Sequence, residues 1–162
     1  MPARNYLNTI ISLGLGKTQT DLYQKRLENL QDVEVVPLSQ VLTPTELDMV
    51  RSCNFVAKEC YKNAMIFSYL FPRESLYIEG YVTGQGLFPI DHAWNKIRGK
   101  YVDVTMELVL DRSLEDQVYQ SVGAYTYDRA IKAANETGYY GAVNNFYKGE
   151  SYDYDEPKPV MW

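Results

Sequence analysis

The chain has 162 residues, 46% hydrophobic and 23% charged, with a formal net charge of −5. This length allows one domain with a substantial core. The acidic balance argues against nonspecific nucleic-acid binding, which needs a basic surface. No apolar run approaches the roughly 20 residues that span a bilayer, and the segment after Met1 does not fit a signal peptide. We therefore expect a cytoplasmic protein whose two cysteines are free thiols.

The sequence of the N-terminal third indicates helices more clearly than strands. A helix is expected from about Thr20 to Leu30 and a short strand at Val33–Val36. A further helix begins with three concordant signals, because Thr43 can cap it, Pro44 suits its first turn and Glu46 completes a capping box.

The helical spacing that starts at Thr43 continues as far as Pro72. Almost thirty residues exceeds the usual length of a globular helix. We therefore expect a break around Ser52–Asn54.

From Leu76 the spacing of the hydrophobic residues changes to the two-residue period of a β-strand. The first is expected at Leu76–Thr83, followed by a loop at Gly84–Gly86. A second strand from Asp91 to Ile97 and a third from Lys100 to Leu110 form an antiparallel hairpin around the two-residue turn Arg98–Gly99.

This turn sets a register in which Asp103 lies opposite Trp94 and His92 lies opposite Thr105. His92 and Asp103 are then diagonal neighbours on one face of the hairpin, about 7–8 Å apart at the backbone. An imidazole and a carboxylate can form a hydrogen bond across that distance.

The remainder predicts an α+β protein whose last third is helical. Helices are expected at Leu114–Tyr119, Asp128–Asn135 and Tyr139–Tyr147. Residues 1–149 then form a single domain with a core at about 43–111, in which helices pack on a small antiparallel sheet. Residues 150–162 form an acidic tail rich in tyrosine and proline.

Cys60, His92 and Asp103 can together form a nucleophilic triad. His92 is the only histidine of the chain. A cysteine attacks an acyl carbon as the thiolate, which a nearby imidazolium or a helix N-terminus favours. The histidine would serve as general base, and the carboxylate would orient its ring.

Other residues near this triad have more than one interpretation. Cys53 is a rival nucleophile, because the break at residues 52–54 could also open a helix. Asn54 could supply a side-chain amide to an oxyanion. Trp94 is expected in the core or in a pocket wall, and Glu79 as a solvated strand residue more readily than a substrate contact. One histidine and scattered ligands make a poor zinc site, so neither metal nor cofactor is expected.

Four segments, Cys60–Ala64, Tyr77–Tyr81, His92–Trp94 and Gly99–Thr105, resemble the transglutaminase-like branch of the papain-like cysteine hydrolase superfamily in order and approximate spacing. Small phage and bacterial proteins show a similar pattern, and if the chain is phage-encoded we expect it in the host cytoplasm. The chain differs in having Val104 where that family usually has proline, a shorter hairpin, and no glycine before the cysteine.

This resemblance implies a nucleophile at Cys60, a general base at His92 and an orienting acid at Asp103. It implies a transglutaminase-like core and a cysteine hydrolase or acyltransferase acting on an amide or ester bond of a protein or peptide-like substrate. The alternative is a noncatalytic protein-binding module that retains the fold.

Overall fold

A computed structural model describes residues 2–85 and 87–153 and shows an α+β protein, as predicted. Five antiparallel strands form one curled sheet in the order β1-β5-β2-β3-β4. The strands are β1 (Gln31–Val33), β2 (Ser75–Gly84), β3 (Ile90–Ile97), β4 (Lys100–Val102) and β5 (Gln117–Tyr125).

The described residues also form six α-helices. They are α1 (Pro2–Ser12), α2 (Lys17–Asn29), α3 (Pro44–Arg51), α4 (Cys60–Leu70), α5 (Tyr127–Thr137) and α6 (Val143–Phe146). A core cluster between α4, α5 and the sheet supports the site described below. Its buried members are Ala64, Met65, Tyr77, Ala93, Tyr125, Ala130, Ala133, Ala134 and Val143.

The predicted helix from Thr43 to Pro72 is indeed broken, into α3 and α4. The capping box at its start is confirmed, since Thr43 accepts from the backbone of Glu46 and Glu46 accepts from the backbone of Thr43. An irregular loop separates the two helices, and within it Lys58 takes a left-handed conformation with φ of 67°. This conformation lies outside the right-handed α region, so Lys58 cannot belong to a continuous α-helix. The loop therefore lets a new helix begin at Cys60.

The β3–β4 hairpin has the predicted turn and register. Arg98 and Gly99 both have positive φ, of 51° and 79°, the geometry of a two-residue turn that matches strand twist. Ile97 pairs with Lys100, and Asn95 with Val102.

The predicted third strand, from Lys100 to Leu110, is wrong beyond Val102. Residues Thr105–Val109 form a π-helical turn, so the expected pairings of Asp103 with Trp94 and of His92 with Thr105 do not occur. The cause is Asp103, whose side chain accepts a hydrogen bond from the backbone of Met106. An aspartate that caps the following turn in this way draws the backbone out of the strand.

The helix predicted at Leu114–Tyr119 is also wrong. A single 3₁₀ turn, Leu114–Asp116, leads directly into β5. β5 pairs with β2 over most of its length and with β1 on its other side. Because both edges of β5 are used, strand pairing outweighed the weak local preference for helix.

The C-terminal helices are α5, which contains the predicted Asp128–Asn135 helix, and α6, which is much shorter than the predicted Tyr139–Tyr147. Gly138 ends α5 in a left-handed conformation, as expected. Within the predicted acidic tail, Tyr152 bonds to the backbone of Ala124 at the end of β5. Residues 154–162 of that segment lie outside the described residues.

Candidate active site

Cys60 is the first residue of α4, a position set by the loop before it and by Asn63. The side-chain oxygen of Asn63 accepts from the backbone N–H of Val56 at 3.1 Å, and its nitrogen donates to the Val56 carbonyl at 2.9 Å. The same nitrogen donates to the Thr105 hydroxyl at 3.0 Å. Asn63 therefore ties the loop and the first turn of α4 to the segment that follows Asp103.

The first turn of α4 provides a polar environment for the half-buried Cys60. The first N–H groups of any α-helix lack partners within the helix and carry partial positive charge. A thiolate, or an oxyanion formed beside it, is favoured at such an end.

His92 projects from β3 and packs against Trp94. The two rings stack with centroids 6.0 Å apart and an angle of 25°. Trp94 is completely buried, in agreement with the predicted core or pocket-wall position. This packing requires a glycine opposite His92, since a Cβ at Gly80 would lie 2.8 Å from the Trp94 ring.

Asp103 ends the β4 hairpin and accepts three hydrogen bonds. Its Oδ2 lies 2.7 Å from His92 Nε2 and 2.7 Å from the Tyr119 hydroxyl, and its Oδ1 accepts from the backbone of Met106 at 3.1 Å. The predicted contact between His92 and Asp103 is thus formed, although strand pairing does not extend to either residue on the β4 side. The Asp103 carboxylate is thus held by groups from β3, from β5 and from the turn that follows it.

The pKa of His92 is raised to about 10. Burial alone would lower this pKa, but the charge and hydrogen bond of Asp103 outweigh it, and the hydrogen bond and charge of Cys60 raise it further. The imidazole is therefore protonated at neutral pH. Because Nε2 is bonded to Asp103, the nitrogen that remains for Cys60 is Nδ1. The three residues predicted as a triad are consequently brought together around one charged ring.

A cavity of about 150 Å³ lies beside His92. Glu79, Gly80 and Tyr81 of β2 line one side of it, and Arg26 of α2 lines another. It also reaches Tyr61, the residue after Cys60. The cavity therefore adjoins His92 and the residue that follows Cys60.

Glu79 lines this cavity but is buried, so the expectation of a solvated strand residue is wrong. Its carboxylate accepts from the Tyr77 hydroxyl at 2.5 Å and from the backbone N–H groups of Val143 and Asn144 at 3.0 and 2.8 Å. Burial raises the pKa of Glu79, although these hydrogen bonds lower it. Glu79 thus anchors the start of α6 to β2.

Two of the remaining candidates lie at the α3–α4 break. Cys53 follows the end of α3, where its thiol donates to the Met49 carbonyl at 3.6 Å, and the helix that opens after the break begins at Cys60. Asn54 is exposed and does not line the cavity beside His92. The side-chain amide in the first turn of α4 is instead that of Asn63, which bonds to Val56 and Thr105.

Sequence reasoning missed Asn63, Tyr119 and Arg26. An asparagine in a helical first turn is a weak signal, since that residue competes with helical hydrogen bonds. Tyr119 lies in a segment for which the sequence predicts a helix. Nothing near Arg26 in the sequence indicates that its side chain is buried. Both are placed by contacts with distant segments.

Across residues 2–85 and 87–153, no group of three or more His, Cys, Asp or Glu side chains is arranged to hold a metal ion. No helix in that part of the chain is long and apolar enough to cross a membrane. Comparison of the chain with protein-family models, with curated proteins and with solved structures gave no match.

Proposed function

We propose that this chain is a cysteine-dependent hydrolase or acyltransferase that acts on an amide or ester bond through a thioester. The observation that carries the proposal is the hydrogen bond between His92 and Asp103 beside Cys60, whose thiol at the start of α4 is close enough to raise the pKa of His92. The substrate would be a protein or peptide-like amide, as for a protease, deamidase, amidase or transglutaminase-type enzyme.

The roles of the three residues follow from their geometry. A protonated His92 next to Cys60 favours the thiolate, which is the nucleophilic form. Asp103 holds the ring through Nε2, which leaves Nδ1 as the nitrogen that would serve the sulfur. Tyr119 fixes the carboxylate through a second hydrogen bond. Tyr119 and Asn63 are thus positioning residues.

The reaction would proceed in two balanced steps. The Cys60 thiolate attacks the acyl carbon, a C–S bond forms, and the C–N or C–O bond breaks as His92 gives its proton to the leaving group. Neutral His92 then takes a proton from water or an amine, which attacks the thioester. Cleavage of the C–S bond releases the acid or the transferred acyl product and regenerates the thiolate. Backbone N–H groups at the start of α4 would stabilise both oxyanions.

The same arrangement supports a transglutaminase-like core. A helix that starts with the cysteine packs on an antiparallel sheet, the histidine lies on one strand, and the aspartate follows the next. Val104 in place of proline is compatible with this arrangement, since it adopts helical angles and begins the turn capped by Asp103.

Alkylation by iodoacetamide at neutral pH tests the proposal, with Cys53 of the same molecule as an internal reference. Cys60 should react at least about tenfold faster than Cys53, because an imidazole beside a cysteine makes the thiol a better nucleophile. His92→Ala should reduce the Cys60 rate to that of an ordinary thiol, whereas Cys53→Ser should leave it unchanged. Equal Cys60 rates in wild type and His92→Ala, measured by mass spectrometry of the labelled peptides, would exclude the triad.

The alternative, a noncatalytic protein-binding module, is favoured by one feature of the β2–β3 connection. Leu87 and Phe88 of this connection are exposed, as is Ile90, the first residue of β3. Phe88 is exposed to 85% of its full accessible surface. Exposed apolar side chains next to one another often mark an interaction site. If binding were the function, Phe88→Ser would abolish capture of a partner from a cell extract and Cys60→Ala would not.

A further inference from the structure

The cavity beside His92 contains a buried cation, Arg26. This side chain extends from α2 and is only 9% exposed. Its Nε donates to the Asn144 side-chain oxygen at 2.8 Å, its Nη1 to the Tyr81 hydroxyl at 3.0 Å, and its Nη2 to the Asn145 side-chain oxygen. A guanidinium has five N–H groups. One hydrogen on each Nη nitrogen is therefore left for another partner.

Every group that accepts a hydrogen bond from Arg26 is neutral. The carboxylate of Asp91 lies 3.9 Å from Nη1, beyond hydrogen-bonding distance, and its side chain is 62% exposed. Glu79 influences Arg26 through its charge, but its own hydrogen bonds come from other groups. Among the described residues, no carboxylate is hydrogen-bonded to the guanidinium. Asp91 is thus a distant, largely exposed ion-pair partner, and the two remaining N–H groups of Arg26 can bind a closer carboxylate.

We infer that this cavity is the acyl-binding pocket and that Arg26 binds a carboxylate carried by the acyl group itself. The inference rests on the proposed function, because the acyl carbon has to reach Cys60. The substrate class is thus an amide or ester of a short dicarboxylic acid or of an acidic amino-acid residue. Two N–H groups on adjacent nitrogens suit the two oxygens of a carboxylate.

The size of the cavity agrees with this class. A volume of about 150 Å³ is close to that of an engineered protein cavity that holds benzene, and it is below the roughly 300 Å³ at which pockets begin to hold drug-sized ligands. By this comparison, the cavity admits a chain of about four or five carbon atoms. Such a chain can place its carboxylate on Arg26 and its other carbonyl beside His92, because both residues line the same cavity.

A pair of chromogenic esters tests the inference. Mono-4-nitrophenyl glutarate and 4-nitrophenyl valerate have acyl chains of equal length, and a terminal carboxylate in the first replaces a methyl group in the second. The ratio of their kcat/KM values should favour the glutarate ester in the wild type. Arg26→Gln should lower this ratio at least about tenfold, as expected for loss of a charge-assisted hydrogen bond. The ratio does not depend on the fraction of protein that is folded.

Lys25→Gln is the matched control, because it removes the same charge from the neighbouring position of α2. Lys25 pairs with Glu150 at the surface and does not line the cavity. The ratio of the kcat/KM values for the two esters should be the same in Lys25→Gln as in the wild type. Asp91→Asn, which removes an exposed negative charge at the cavity, should raise the ratio. This second variant tests the pocket even if Arg26→Gln does not fold.

Failure of the inference and failure of the proposed function give different results. If both esters are hydrolysed only when Cys60 is present, and neither Arg26→Gln nor Asp91→Asn changes the ratio, the carboxylate pocket is overturned and the hydrolase stands. If Cys60→Ala hydrolyses both esters as fast as the wild type, the proposed function falls. Calorimetry with glutarate and Cys60→Ala then tests the pocket without turnover. Heat of binding that Arg26→Gln abolishes supports the pocket, and no binding at millimolar glutarate overturns it.

Discussion

Replacing Asp103 by asparagine removes the charge that holds His92 protonated. The backbone N–H of Met106 can only donate, so the asparagine oxygen has to take its place opposite that group. The amide NH₂ then faces His92 and Tyr119, where the wild type has an acceptor. His92 Nε2 is forced to accept, and a neutral ring carries its proton on Nδ1, towards Cys60. The thiol loses both its charged neighbour and its base.

The size of the effect follows from the pKa of His92, which is about 10 in the folded protein against an ordinary value of 6.5. A raised pKa adds stability that is fully present below pH 6.5 and is lost as the pH rises through 10. Between pH 6.5 and about 9.5 the wild type should lose about 3.5 kcal/mol of unfolding free energy through this group. In Asp103→Asn this loss should vanish, because burial then keeps the ring neutral. The variant should also be less stable at pH 6.5 by roughly 3–5 kcal/mol, as for a broken buried ion pair.

Urea unfolding followed by tryptophan fluorescence measures both effects. Asp91→Asn is the control, since it makes the same substitution at an exposed carboxylate directly before His92. It should retain the wild-type dependence on pH. A wild-type unfolding free energy that does not fall over this range would refute the charged His92–Asp103 pair. So would an Asp103→Asn variant with the same slope as the wild type.

Two further substitutions concern the surroundings of the triad. Gly80→Ala would place a Cβ 2.2 Å from a backbone carbonyl oxygen of the neighbouring strand, so it should cost about 3 kcal/mol or more of stability. Gly16→Ala, with no atom within 4 Å, should cost about 1 kcal/mol or less; equal melting temperatures would contradict this difference. Tyr119→Phe removes one hydrogen bond to Asp103 and should cost about 2 kcal/mol. It should slow alkylation of the nucleophile far less than His92→Ala does, and an equal effect in the labelling assay would show that the hydroxyl is indispensable.

Several features of the fold could be predicted because they depend on residues a few positions apart. The capping box at Thr43 and Glu46 starts α3 as the local pattern indicates. The turn at Arg98–Gly99 aligns β3 with β4, and this alignment brings His92 and Asp103 within reach of each other. In each case the hydrogen-bonding partners lie close in sequence, so local chemistry suffices.

Segments whose structure depends on distant partners could not be predicted in the same way. Leu114–Tyr119 has a weak preference for helix, yet Gln117–Tyr125 becomes a strand because it pairs with β1 and β2. Asp103 leaves its strand because a backbone N–H three positions ahead is a better partner for its side chain than solvent.

The local sequence therefore determines the residue types of the candidate site and the contact between His92 and Asp103. The position of Cys60 at a helix start, the Tyr119 bond to Asp103 and the burial of Arg26 come from packing between remote segments. Arg26, for example, bonds to Asn144, which lies 118 positions away. Local rules of capping and turn geometry act over a few residues, whereas burial and charge pairing act through space. The contacts that make the candidate site chemically specific belong to the second kind.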